Sequence, residues 1–432
     1  MRMDIRKYIL VGLLIVFPTT VGWAQVNVGN DEFDVADDEI VVLDQEGREE
    51  IIEFPEAMTY DLDSLLNLYM SKTYLDNNDC NFQDVNPVYS KDEYVDRLSR
   101  IPSVMEMAYN DVVQKFIDRY SGRLRHSISY MLGASNFYMP IFEEALETFG
   151  LPLELRYLPV IESALNPNAV SRVGATGLWQ FMLGTGRQYG LKVNSLVDER
   201  RDPIRASYAA ARYLYDLYQV FGDWNLVIAA YNCGPGNINK AIHRSNGEKD
   251  YWRIYPYLPR ETRGYVPAFI AANYIMTYYS QHNICPMTSR LPIQTDTIML
   301  NKTVHFEQIA AVVGISVDQL RALNPMYRRD IIPGNTEPMP LRLPLAELNK
   351  FIDLEDSVYS YKADELLTKR AEVEINDDVP TYYHKSKRYS RGKRGARYSN
   401  RSARYSKRSS ARYSKKRASG KKRSTGKRRR RR

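Results

Sequence analysis

Histidine is scarce in this chain, with five in 432 residues: His126, His243, His282, His305 and His384. They are scattered, and neither an HExxH nor a CxxC spacing occurs, so the sequence supports no metal site and no cofactor is expected. Cysteine is scarcer still, at Cys80, Cys233 and Cys285 only. An odd count allows at most one internal bridge; Cys80–Cys285 is a possible pair, which spacing alone does not settle. There is no apolar run of the ~20 residues that a membrane span needs. Tyr8 to Phe17, about half that length, follows Arg2, Arg6 and Lys7 and ends at Pro18. With small residues at Gly22 and Ala24, residues 1–24 read as an export signal cleaved after Ala24. No cysteine follows the run, which argues against a lipid anchor. Acidic residues are also missing from one region. All 52 Asp and Glu precede His384, so a net charge of +8 combines an acidic body with a strongly basic tail.

The length suffices for two or three domains. Residues 25–94 form an acidic lead-in, with one short strand expected at Ile40–Leu43 and a short amphipathic helix at Asp61–Tyr74. Helical patterns then dominate. Ser90 and Glu93 form a capping-box signature for a helix through Leu98. Further helices are expected over Ser103–Tyr120, Met139–Phe149, Pro203–Phe221 (with Asp202 as its cap), Trp224–Tyr231 and Tyr265–Tyr279. After Pro286 the order changes to strand, helix, helix, strand: Thr297–Leu300, Phe306–Val313, Val317–Leu323 and Pro340–Leu343. Residues 346–383 read as a charged helix and linker. From His384 to Arg432 the Arg-Tyr-Ser triplet recurs at Arg388, Arg397, Arg404 and Arg412. That composition cannot bury a core and is expected to be disordered.

The chemistry is organised around Leu151 to Met182. Apolar Leu158, Val160, Ile161 and Leu165 surround Glu162. The Asn166–Pro167 pair should end the helix that carries it, because a residue before proline avoids the α region. A carboxyl group in a last helical turn, among apolar neighbours, should have a raised pKa. That suits a general acid, although a lone glutamate at a helix boundary more often faces water. Five glycines follow between Gly174 and Gly190, around Trp179, Gln180 and Phe181. Glycines let backbone approach a ligand, an amide offers a donor and an acceptor, and aromatic faces suit a sugar. Tyr231-Asn232 ends a buried helix before the sharp Gly234-Pro235-Gly236 turn. Glu261 to Tyr265 places a tyrosine at the start of another. Glu154 reads as an ordinary first-turn acid.

Taken in order, Glu162-Ser163, Gly177 to Met182, Ala229 to Gly236 and Tyr265 resemble the lytic murein transglycosylases with a goose-type lysozyme-like (SLT) domain. The resemblance covers about residues 95–285. His305 to Pro325 resembles a LysM helix–turn–helix within a βααβ module at 296–345, although the usual glycine-aspartate before its first helix is missing. The fold so implied is mainly α, with a small LysM-like module and a disordered basic tail. The resemblance implies that Glu162 is a single catalytic acid and base. It implies cleavage of the MurNAc–GlcNAc bond of peptidoglycan glycan strands, with ring closure to 1,6-anhydromuramic acid. Ser163, Gln180, Met182, Tyr231, Asn232 and Tyr265 would bind substrate or orient the acid, and Cys233 would pack. The implied location is the periplasm or cell envelope of a bacterium. Interleaved Arg and Tyr would suit nucleic acid, but after export anionic envelope polymers or lipid A are the simpler partners for the tail. Two other readings remain open. A water-using muramidase would need a second carboxylate, for which Asp198, Glu199 and Asp202 are candidates; a non-catalytic wall-binding scaffold would need neither.

Overall fold

The computed structural model describes residues 39–43, 49–55, 58, 75–76, 80, 85–289, 291–292 and 294–367. The export signal, the expected helix at Asp61–Tyr74 and the tail from His384 lie outside the described residues. The chain is mainly α, as expected. The described residues begin with an antiparallel pair, β1 (Glu39–Leu43) against β2 (Glu49–Glu53). Then come α1 (Lys91–Ser99), α2 (Asp111–Ser121), α3 (Arg125–Thr148), α4 (Leu158–Ser163), α5 (Leu183–Gln188), α6 (Pro203–Phe221), α7 (Trp224–Cys233), α8 (Pro235–Arg244), α9 (Tyr251–Ile254) and α10 (Arg260–Tyr278).

The central element is α10. Its residues from Gly264 to Met276 are all buried, so it is apolar around its whole circumference rather than along one stripe. Helices α2, α4 and α7 and strand β2 pack around it. The capping box at Ser90 and Glu93 is formed, and Asp202 caps α6 over the expected bounds.

Several helix boundaries depart from the sequence reading. Residues 103–110 are not helical, and α2 starts only after its cap at Asn110. The buried Glu154 carboxylate explains this. It accepts from the Ser103 hydroxyl and from the amides of Val104 and Met105, which holds that segment as a loop. Helix α3 begins well before Met139 and runs through Pro140. Helix α10 begins at Arg260, so Tyr265 lies inside it rather than at its start.

Beyond Pro286, β3 (Thr295–Leu300) pairs with β6 (Met339–Pro344), and a second pair, β4 (Thr303–His305) with β5 (Ile331–Pro333), was not foreseen. Helices α11 (Phe306–Val313) and α12 (Val317–Leu323) match expectation. The residues read as a charged helix and linker include α13 (Leu345–Asp353) and α14 (Glu355–Ser360), whose Phe351 and Val358 are fully buried in this module's core. Leu196 and Val197 of the helical domain join that core. The Asp198 amide donates to Met326 O and the Arg328 amide to Leu196 O, at 2.9 and 2.8 Å. Cys80 and Cys285 are bonded across a sequence separation of 205, and Cys233 is a free thiol.

Gly177 shows how tightly the glycine-rich segment is held. It has φ +87°, and a Cβ there would lie 1.8 Å from the Arg200 carbonyl oxygen. Gly190 has a similar φ of +86° but open space around it. Gly177→Ala should therefore cost roughly 3 kcal/mol or more, and Gly190→Ala only about 1–2 kcal/mol. Thermal denaturation of the two variants beside the parent protein checks this difference.

Candidate active site

Glu162 sits one residue from the end of α4. That helix stops earlier than the Asn166–Pro167 rule suggests. Ala164 and Leu165 take φ of +49° and +59°, left-handed conformations that cost about 1–2 kcal/mol each for residues with a Cβ. The turn is held from behind by Ser163, whose buried hydroxyl bonds Pro159 O and Leu178 O at 3.0 and 2.9 Å. Ser163 therefore ties α4 to the glycine-rich segment and does not line the cleft that Glu162 faces.

The cleft is a cavity of about 350 Å³ lined by Glu162, Gln180, Met182, Tyr231, Asn232 and Tyr265, among others. Six of the seven residues proposed from sequence thus converge on one space. The Tyr265 hydroxyl, from α10, donates to Glu162 Oε1. Burial pushes the Glu162 carboxyl up to about 8 from an ordinary 4.5; the Tyr265 bond pulls the other way, and the Glu261 charge adds to the rise. The Tyr231 hydroxyl is spent on Trp179 O at 2.8 Å, so this ring is a wall rather than a free donor. Asn232 accepts from the Thr262 hydroxyl through Oδ1 at 2.7 Å, which orients its amide NH2 group. Gln180, at φ +48°, donates to Gly177 O and Ala169 O, leaving its Oε1 as an acceptor. Met182 is 45% exposed at the rim.

The aromatic pair divides. Phe181 lines the cleft. Trp179 does not offer a face to a sugar: it is fully buried, with its Nε1 donating to Ser207 Oγ at 2.9 Å and its ring edge-on to Phe142. Cys233 also lines the cleft, and burial raises its thiol pKa, which leaves it a poor nucleophile.

Sequence reasoning missed two contributors. Arg200 is buried, paired with Asp198 at 2.9 Å, and donates to Gly174 O and Phe181 O at 3.1 and 3.2 Å. It clamps the two ends of the glycine-rich loop, and no local motif marks it. Glu261 is a second carboxylate on the cleft wall; its place directly before Thr262 in the quoted Glu261–Tyr265 stretch was the available signal. The acids put forward as a second carboxylate lie elsewhere. Asp198 is consumed by Arg200. Glu199 and Asp202 line a separate cavity of about 390 Å³ facing the small module. Among the described residues no group of His, Cys, Asp and Glu could hold a metal ion.

Two family models match the chain: the transglycosylase SLT domain over residues 139–254, and the LysM-like domain of lytic transglycosylase MltD over 294–360. The chain is 37% identical over 184 residues to membrane-bound lytic murein transglycosylase D of Escherichia coli (strain K12), a match covering 40% of this chain and 39% of that protein. It is 35% identical over 124 residues to the soluble lytic murein transglycosylase of the same strain, covering 27% of this chain and 19% of the relative. The solved 70 kDa soluble lytic transglycosylase of Escherichia coli aligns at 30% identity over 34% of this chain and 25% of that one, with a TM-score of 0.30. The matches thus span about two fifths, or less, of the relatives' length. On these matches the chain carries a transglycosylase SLT domain followed by an MltD-type LysM-like domain.

Proposed function

We propose that this protein is a peptidoglycan lytic transglycosylase of the bacterial cell envelope. The observation that carries the reading is the Glu162 carboxyl, kept protonated near neutral pH by burial and held by Tyr265 in a cleft of sugar-sized polar and apolar groups. With its pKa raised to about 8, the group favours the protonated form at pH 7.

In this reading Glu162 gives that proton to the glycosidic oxygen between N-acetylmuramic acid and N-acetylglucosamine as the C1–O bond breaks. The carboxylate left behind removes the proton from the muramoyl 6-hydroxyl, whose oxygen closes on C1. No water is consumed, Glu162 ends protonated, and the product is a 1,6-anhydromuramic acid end. The Tyr265 bond stabilises the carboxylate form and so eases the first transfer. The Gln180 acceptor and the Asn232 amide are suited to hydroxyl and acetamido groups, and Met182 to the apolar rim of the strand. Ser163 acts on Glu162 through the turn it pins. The relatives' names, with murein in each, support the substrate class. The LysM-like domain supports anchoring on the same polymer. Envelope location rests on the N-terminal export pattern and on a relative named membrane-bound; among the described residues no helix is long and apolar enough to cross a membrane. The basic tail would bind anionic envelope polymers or lipid A, supported by its composition alone.

Glu261 favours one competing reading. A second carboxylate in the cleft is what a water-using hydrolase requires. Mass spectrometry of digested wall glycan separates the two: 1,6-anhydro ends support the transglycosylase, and reducing ends carrying an added water support the hydrolase. Glu162→Gln should remove the fragments, lowering the rate by roughly 10²–10⁴-fold.

The raised pKa fixes two further outcomes. Tyr265→Phe removes the bond that lowers the Glu162 pKa, so the basic limb of the kcat/KM profile should move to higher pH while the rate falls. For stability, the folded state holds a proton that the unfolded state has lost between pH 4.5 and about 8. The contribution is therefore full below pH 4.5 and disappears as pH rises through about 8. Glu162→Gln should flatten that decline, as read by melting temperature across the range.

A further inference from the structure

Residues ahead of α1 read in sequence as an acidic lead-in. Their described part is instead built into the helical domain. Ile52 is fully buried, and the backbone of β2 crosses α10 at Gly264. A Cβ on Gly264 would meet Glu53 O at 2.7 Å, Ile52 Cγ2 at 3.0 Å and the Phe116 ring at 3.1 Å. This is a close approach that only glycine allows. Glu50 forms an ion pair with Arg263, one residue before that crossing. Phe54 packs edge-on to Phe116 at 5.0 Å, with the Arg119 guanidinium 3.8 Å over its ring. Arg119 also donates to the Met58 carbonyl at 3.1 Å. The segment is held on both sides of Pro55.

Pro55 is buried and lines the same cavity as Glu162. It has no N–H, and its carbonyl accepts from the Met58 amide at 2.8 Å. Its backbone therefore asks nothing of the cleft, and what it presents there is an apolar ring. A pyranose has apolar C–H faces and polar edges. Gln180, Asn232 and Glu162 supply partners for the edges; Pro55 supplies a surface for a face.

We propose that the segment from β2 to Pro55 is a fixed wall of the glycan cleft, with Pro55 a substrate-contact residue that sets how a sugar unit sits beside Glu162. The inference rests on the glycan reading of the cleft. It adds to the site an element outside residues 139–254, the span of the SLT match.

The test uses the full chain with Pro55→Ala and Pro55→Leu, beside Glu162→Gln. Three quantities are measured: melting temperature, kinetics and product lengths on purified wall glycan strands, and affinity for chitotetraose, an oligomer of N-acetylglucosamine. The expected result is a melting temperature close to the parent's, a KM raised by roughly tenfold in Pro55→Leu with a smaller change in kcat, weaker chitotetraose binding, and a shifted length distribution. Pro55→Ala, which cannot overpack, should shift the lengths in a folded protein even if leucine disturbs the fold. Folded variants with the parent's KM, product lengths and chitotetraose affinity overturn the inference while Glu162-dependent cleavage stands. If the parent cuts no strand, the proposed function falls. Chitotetraose affinity then decides Pro55 by itself: weakened binding supports the wall, and unchanged binding rejects it.

Discussion

The Glu162 carboxyl is held above the ordinary carboxylate range, and the cause is its half-buried place on the wall of the cleft. Burial is the largest influence on Glu162, ahead of its bond to Tyr265 and the charge of Glu261. That placement has a structural cost, because the charged form of the group is disfavoured and several neighbours must be fixed around it. The cost is met by α10, which has more buried residues than any other described helix. It supplies Tyr265 to hold the carboxyl, Thr262 to orient Asn232, and Gly264 to admit β2. Three functions fall within a single turn, Thr262 to Tyr265, so a small rotation of α10 would disturb all of them together.

The opposite side of the cleft is held differently. The glycine-rich loop has little side-chain mass with which to pack, and its shape depends on bonds to its carbonyls. Arg200 reaches Gly174 O and Phe181 O, Ser163 reaches Leu178 O, and Tyr231 reaches Trp179 O. These are charged or polar groups, Arg200 and Ser163 buried and Tyr231 half-buried, each bonded to backbone carbonyls. A buried arginine costs several kcal/mol unless it is paired and fully bonded, and Asp198 supplies the pairing. The left-handed Ala164 and Leu165 are strain of the kind that survives only where surroundings over-determine it. Ser163 and the packed α4 are those surroundings.

What the sequence revealed follows from this division. Placement in the cleft was legible where local chemistry marks it: Glu162 among apolar neighbours, Gln180 in its glycine cluster, Asn232 before a Gly-Pro-Gly turn. Helices bounded by local caps were legible too, as at Ser90 and Asp202. Roles set by tertiary contact were not. Ser163 reads as a site residue by adjacency to Glu162, yet its hydroxyl points to the loop behind. Trp179 reads as a sugar platform, yet Ser207 and Phe142 enclose it. Glu154 turns an apolar periodic stretch at 103–110 into a loop by accepting three hydrogen bonds across some fifty residues of chain. Strand β1 was legible at Ile40–Leu43, but Arg200 and β2 carry no periodic or motif signal and Glu261 only its place in the Glu261–Tyr265 stretch, because their meaning lies in what α10 and the glycine loop bring to them.

The small module belongs to the same scheme. Its loop at Met326–Arg328 pairs with Leu196–Asp198 through two backbone bonds, and Leu196 and Val197 are buried in its core. Asp198 is the residue on which this contact and the site meet. Its amide bonds the module at Met326, while its carboxylate holds Arg200, and Arg200 holds Phe181 of the cleft wall. A chain of three bonded groups therefore runs from the module to the cleft. Asp198 is fully buried, so each link is shielded from competing water and worth more than at the surface. The cleft is accordingly assembled from three distant parts of the chain: the β1–β2 pair at its N-terminal side, the helical domain in the middle, and a loop braced from beyond it. A fragment cut to the motif-bearing residues alone would keep every recognisable signature and lose two of the three supports.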